Sequence, residues 1–279
     1  MLIALAQIHS GAGLPENLAL IREYTARAAE AGARLVIFPE ATMRAFGNPL
    51  LEITEPLDGA WAAEVRAIAL EQGITVVAGM FTPGTTAGAA SQDTADQEAG
   101  HSKVRNTLLV TGPDVSASYT KIHLYDAFGF AESDTVEPGS NPVTFELDGM
   151  TFGLATCYDV RFPALFTANA LAGATVQIVC ASWGPGPGKV EHWELLTRAR
   201  ALDTTSYVLA CGQADPTTLG IENPRRLPTG VGHSAVVGPL GNDLTRADGS
   251  VQLLFADLDP EAVRQARETL PVLANRVAL

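Results

Sequence analysis

Val143-Thr-Phe-Glu-Leu-Asp-Gly-Met-Thr-Phe-Gly-Leu-Ala-Thr-Cys157 holds two alternating runs joined by Asp148-Gly149. Alternation with period two marks a strand with one buried face, and Asp-Gly between two such runs is the strongest short-range hairpin signal. The second strand therefore ends at Cys157. Pro163 follows where a helix can begin, because proline is accepted in a first turn, and Ala164 to Ala172 supply a short helix that Gly173 stops. Val176 to Ala181 reads as a fully apolar strand, Val190 to Leu202 as a helix and Tyr207 to Gly212 as another strand. Apolar strands alternating with helices pair in parallel with both faces covered, so this stretch predicts a layered α/β sandwich with hairpins added.

The same alternation extends outward. Leu2 to Gln7 is a strand, and Pro15 to Ala33 carries Leu18, Leu20, Ile21, Tyr24 and Ala28 at helical spacing. Leu35 to Phe38 is a short strand closed by Pro39-Glu40; a helix led by Asp58 runs through Glu71, and strands follow at Ile74 to Met80 and Asn106 to Thr111. Between these last two, Pro83 to Gly100 is rich in Gly, Ala, Ser, Thr and Asp and reads as a mobile surface loop, since strand patterns resume on both sides. His233 to Val237 and Val251 to Leu258 read as antiparallel partners around the Gly241-Asn-Asp turn, with a terminal helix from Pro260. No repeat at a period of about 20 to 50 residues interrupts the series, and one domain over residues 1–279 is expected.

Composition narrows the function. The chain is 47% hydrophobic and 18% charged, and 18 Lys+Arg against 31 Asp+Glu leave a net charge of −13. Such an acidic chain repels phosphate backbones and anionic lipid, so neither nucleic acid nor membrane is an expected partner. No apolar run approaches the roughly 18 to 20 residues of a membrane span, and the opening residues lack a basic leader. Three cysteines in apolar stretches, without the spacing of a zinc knuckle or redox pair, fit a reducing cytoplasm and predict no metal site.

Glu40, Lys121 and Cys157 all sit at or near strand ends, where reactive groups of an α/β fold converge. Cys157 opens a strand-to-helix turn whose backbone N–H groups would favour a thiolate. A cysteine in an apolar strand is also often only a buried packing group, and Cys180 and Cys211 keep that reading. Glu40 is a general base if burial lifts its pKa, or a solvated carboxylate if not. Lys121 points inward as a fixed charge for an oxyanion, or outward as an edge-strand lysine. His123, His192 and His233 have no metal-ligand spacing and are taken as packing or hydrogen-bonding residues. Asp159 and Arg161 are expected to brace the turn as an ion pair, with Arg161 alternatively facing the pocket.

Phe38-Pro-Glu40, Tyr119-Thr-Lys-Ile-His-Leu-Tyr-Asp126 and Thr156-Cys-Tyr-Asp-Val-Arg-Phe-Pro163 resemble, in order, the three signature segments of the nitrilase superfamily of carbon–nitrogen hydrolases. His192-Trp-Glu-Leu-Leu-Thr-Arg-Ala-Arg-Ala201 and Gly232-His-Ser-Ala-Val-Val-Gly-Pro239 extend the resemblance nearly end to end. It implies a four-layer αββα sandwich that dimerises, with no metal or organic cofactor. It also implies Glu40 as general base, Lys121 as oxyanion stabiliser, Cys157 as thioester-forming nucleophile, and Glu132 positioning the lysine and the substrate. The Tyr158 N–H would join Lys121 at the oxyanion.

The turn sequences are most similar to the branch containing ω-amidase and deaminated-glutathione amidase, which implies a small linear amide bearing a carboxylate. That carboxylate would meet Arg161 or, alternatively, Lys189. The lip from Ala127 to Ala131 is short for ω-amidase itself. An N-carbamoyl amino acid amidohydrolase and a catalytically silent binding protein are the alternatives. The apolar stretch from Val263 to Leu279 adds to the expectation of a homodimer or higher homo-oligomer.

Overall fold

A computed structural model describes residues 1–85, 103–223 and 225–277. Most of the expected Pro83 to Gly100 loop, and the last two residues of the C-terminal stretch, lie outside the described residues. The chain runs β1 (Leu2–Gln7), α1 (Leu14–Glu30), β2 (Leu35–Ile37), α2 (Ala60–Gln72), β3 (Thr75–Pro83), β4 (Val104–Thr111) and β5 (Ser116–Thr120). A two-stranded ribbon, β6 (Asp126–Ala127) and β7 (Phe130–Ala131), leads to β8 (Thr144–Leu147), β9 (Met150–Thr156), α3 (Pro163–Leu171), β10 (Val176–Ala181) and α4 (Lys189–Thr204). Last come β11 (Tyr207–Gly212), β12 (Ala235–Val237), β13 (Asp243–Arg246), β14 (Gln252–Asp257) and α5 (Pro260–Thr269).

Two six-stranded sheets face each other, in the orders β14-β1-β2-β3-β4-β5 and β13-β12-β11-β10-β9-β8. Successive side chains of a strand point to opposite faces, and in β1, β2 and β3 of the first sheet both faces are buried. Ile3 and Leu5 of β1, Leu35 and Ile37 of β2 and Val77 of β3 join the core between the sheets, against Phe152, Leu154, Ile178 and Leu209. The alternate residues Ala4, Ala6, Val36, Val76 and Ala78 pack against Ile21 and Tyr24 of α1 and Trp61 and Val65 of α2. Helices α3 and α4 contact β9 and β11 of the second sheet. The layers are thus α, β, β, α.

Asp148-Gly149 forms the expected hairpin, with φ of 49° and 77°. Two positive φ values are what a two-residue turn needs to match strand twist. The C-terminal pairing differs from expectation. Around Gly241, β12 pairs with β13, whereas β14 crosses to the other sheet and pairs antiparallel with β1, Leu5 opposite Leu254. The half-polar Asp243-Leu-Thr-Arg246 carries no strand signature of its own, because an edge strand leaves one side to solvent.

Candidate active site

Glu40 lies two residues past the Phe38 N–H, which donates to the Val77 carbonyl at 2.8 Å and holds the chain against β3. Gly79 of β3 supports the turn beneath it. A Cβ at that glycine would come within 2.6 Å of the Ala41 nitrogen and 2.9 Å of the Glu40 Cα, so only a bare backbone fits. Lys121 is the first residue after β5, fixed by its N–H donating to the Asn106 carbonyl at 2.9 Å and by its carbonyl accepting from Gly139 at 2.8 Å. Glu132 opens a short 3-10 turn directly after β7, and Cys157 opens another directly after β9, at a φ of 48°. Glu40 is wholly buried, Lys121 is 2% exposed and Cys157 8%.

These side chains meet. The Lys121 ammonium lies 3.0 Å from Glu40 Oε1 and 2.8 Å from Glu132 Oε2, bridging the two carboxylates. Asn106 Nδ2 donates to Glu40 Oε1 at 2.7 Å, and the Ser182 N–H donates to Glu40 Oε2 at 2.8 Å. The Tyr125 N–H donates to Glu132 Oε2 at 2.6 Å. Three donors, from β4, from the end of β5 and from the end of β10, thus hold the Glu40 carboxylate. Asn106 and Ser182 were not singled out in the sequence; a buried asparagine inside the apolar β4 run was the available signal, since asparagine is depleted in strands.

Burial dominates the electrostatics. It raises the Glu40 pKa above the ordinary carboxylate range, with the attraction of Lys121 opposing it and the nearby Glu132 charge adding to it. For Lys121 burial acts against the ammonium, but Glu40 and Glu132 more than reverse that, and the group is held well above its usual value. Burial likewise pushes the Cys157 thiol well up; Glu40 reinforces this and Lys121 only partly offsets it. Burial and the Glu40 charge thus oppose the thiolate that the turn was expected to favour. Desolvation and the adjacent carboxylate outweigh the 3-10 turn's N–H groups.

Asp159 ties the Cys157 turn to the segment that carries Lys121. Its Oδ2 accepts from the Thr156 N–H at 2.8 Å and from the Tyr119 hydroxyl at 2.7 Å, and its Oδ1 accepts from the His123 N–H at 2.9 Å and lies 2.7 Å from His123 Nδ1. The His123 ring stacks on Phe162 at 3.7 Å between centroids. The expected Asp159–Arg161 ion pair is not formed, because both Asp159 oxygens already serve these donors. Arg161 lies over the rings of Trp183 and Tyr158, with its Nη2 3.5 Å from His192 Nδ1. His233 Nδ1 lies 3.2 Å from Glu194 on α4, outside the cluster.

A cavity of about 650 Å³ opens over the cluster. Glu40, Lys121, Glu132, Cys157, Tyr158 and Lys189 line it, whereas Arg161 does not. Its remaining walls are largely apolar, with Phe46, Leu50, Phe130, Val136, Trp183 and Leu227 among them. Cys180 and Cys211 sit opposite each other on β10 and β11, wholly buried in the inner core. Among the described residues no group of three or more His, Cys, Asp or Glu side chains is arranged to hold a metal ion. Among them, too, no helix is long and apolar enough to cross a membrane.

Comparison with known proteins adds to this geometry. The carbon–nitrogen hydrolase family model matches residues 2–268. A hydrolase of Mycobacterium tuberculosis is 52% identical, covering 99% of this chain and 95% of its own. A deaminated glutathione amidase of Escherichia coli is 34% identical over 99% of this chain and 97% of its own. Among solved structures, an amidase from a Nesterenkonia species, in which acrylamide has added to the active-site cysteine, superposes with a TM-score of 0.72. It is 27% identical, over 97% of this chain and 98% of its own.

Proposed function

Since the chain belongs to the carbon–nitrogen hydrolase family, as an amidase-type member of the nitrilase superfamily, we propose that it hydrolyses a small linear, carboxylate-bearing amide through a thioester on Cys157. The observation that carries this reading is the Lys121 ammonium held 3.0 Å from Glu40 and 2.8 Å from Glu132, in one cavity with the Cys157 thiol. A positive charge fixed before reaction begins is suited to an oxyanion that develops later.

In the proposed sequence Glu40 takes the thiol proton as Sγ attacks the amide carbon. The raised proton affinity of Glu40 and the raised pKa of Cys157 support transfer during attack, not before it. Lys121 Nζ and the Tyr158 N–H receive the negative charge on the former carbonyl oxygen. Glu40 returns the proton to the departing nitrogen, ammonia leaves, and the acyl group remains on sulfur. Water then enters; Glu40 takes one of its protons as the hydroxyl attacks the thioester, the carboxylic acid departs and the thiol is restored. Glu132 holds Lys121 throughout.

The test is release of ammonia across a panel of ω-amide acids, neutral aliphatic amides, N-carbamoyl amino acids and nitriles. Turnover of ω-amide acids above the rest is the expected result. Preferred cleavage of N-carbamoyl amino acids, with carbon dioxide and ammonia formed together, would replace the reading, and no turnover of any compound would leave a silent binding protein.

A further inference from the structure

Lys189 is a buried cation without a counter-ion among the described residues of a chain that carries 31 acidic side chains. It is 7% exposed. Its ammonium lies 3.1 Å from the Tyr125 hydroxyl and 3.7 Å from the centroid of the Phe128 ring, with the Tyr125 and Trp183 rings at 5.3 Å and 5.6 Å. The fold fixes this position. Gly188 turns the chain into α4 at a φ of 69°, and the Trp183 indole N–H donates to the Lys189 carbonyl at 2.8 Å. Phe128 itself holds a φ of 55° at the tip of the β6–β7 ribbon, a conformation uncommon for an aromatic residue.

Aromatic faces and a phenol oxygen stabilise an ammonium only partly; taking a charge out of water without a paired anion is costly. Arg161 adds a second positive charge nearby. It too pairs with no carboxylate among the described residues, and its Nε is buried without a partner. Burial and the Arg161 charge together hold the Lys189 pKa below the usual lysine value. An anion arriving in the cavity would relieve both, whereas a neutral group would relieve neither.

This extends the amidase reading and rests on it: we propose that Lys189 is the specificity-determining residue of the cavity, taking the carboxylate at the end of the substrate remote from the amide. Arg161 acts from behind the wall, as a field and not as a contact. The substrate class is then an ω-amide of a carboxylic acid whose middle is apolar, matching the Phe130, Leu50 and Val136 walls. The anion site also communicates with the reacting end. The Tyr125 hydroxyl meets Lys189, while the Tyr125 N–H donates to the Glu132 carboxylate that holds Lys121. Occupying Lys189 therefore steadies the segment that positions the oxyanion charge.

The experiment compares kcat/KM for an ω-amide acid and its methyl ester in the wild type and in Lys189→Met, Lys189→Arg and Arg161→Met, with calorimetric binding of both compounds to Cys157→Ala and to Cys157→Ala/Lys189→Met. The wild type is expected to prefer the acid by at least about 10-fold. A charge-assisted hydrogen bond lost in Lys189→Met should cost the acid about 10- to 100-fold more in kcat/KM than it costs the ester. Lys189→Arg should retain most of the preference, and Arg161→Met should weaken it in a salt-dependent way. Equal losses for acid and ester in Lys189→Met, or no wild-type preference, would overturn the assignment while leaving the amidase reading intact. Absence of ammonia from both compounds would overturn the amidase reading, and the calorimetric comparison would still decide whether Lys189 reads the anion.

Discussion

Cys157 faces the cavity at 8% exposure, while Cys180 and Cys211 have no exposed surface. Limited iodoacetamide should therefore modify Cys157 first and abolish turnover in proportion, as read by peptide mass mapping; earlier labelling of Cys180 would remove Cys157 from its proposed role. Lys121→Ala should lower kcat by at least about 10²-fold with a smaller change in KM, because the ammonium is needed chiefly when the oxyanion forms. Near-normal kcat in that variant would leave Lys121 a structural bridge between two carboxylates. The raised Glu40 pKa also fixes a sign. As pH falls through that value the base becomes protonated and activity is lost, so the acid limb of kcat/KM should lie above the ordinary glutamate value of 4.5. An inflection at or below 4.5 would show a different controlling group. Glu40, Lys121 and Cys157 were readable one by one, since each follows a strand signature, whereas Glu132 came only from the family resemblance and Asn106 and Ser182 were not singled out. Their mutual distances were not readable, because strand order is a non-local property, and the upward push on the thiol depends on burial that no spacing encodes.

At the level of elements, the end of β5 and the turn after β9 are joined through one buried carboxylate. Asp159 serves the Tyr119 hydroxyl, the His123 backbone and the Thr156 backbone, and Lys121 lies between Tyr119 and His123. Asp159→Asn keeps the shape but turns one acceptor into a donor, leaving a buried N–H unsatisfied at a cost of about 1–3 kcal/mol. The variant is expected to melt several degrees lower, and to lose kcat by about 10-fold or more with little change in KM, as Cys157 and Lys121 drift relative to each other. Calorimetric melting and steady-state kinetics check both; a lowered melting temperature with unchanged kcat would confine Asp159 to stability. The elements themselves show where sequence reading succeeds. The β8–β9 hairpin and the start of α3 at Pro163 stand where Asp-Gly and proline chemistry put them. The half-polar β13 went unrecognised because an edge strand needs no apolar alternation. Strand β14 was given the wrong partner because its true one, β1, lies some 250 residues away in sequence.

Across the whole molecule, the outer helices of the second sheet leave Leu171, Leu195 and Leu202 at 53%, 66% and 41% exposure. Apolar surface on helices that already cover one core is suited to a second copy, and a homodimer is the assembly proposed for this chain. Sedimentation equilibrium at micromolar concentration should return at least a dimer; a fully active monomer would contradict it. The two facing sheets also divide the reacting groups between them. Glu40, Asn106, Lys121 and Glu132 belong to the first sheet or the segment leaving it, whereas Cys157 and Ser182 follow strands of the second. That division runs in order of synthesis. A ribosome that has released residues up to about 140 has made a lysine between two carboxylates but not one of the chain's three cysteines, all of which come later. The first sheet is complete only when β14 returns to β1, after Cys157 has been built. A growing chain of this protein thus carries Glu40, Lys121 and Glu132 before it carries any thiol, and the two sheets must face each other before Cys157 shares a cavity with them.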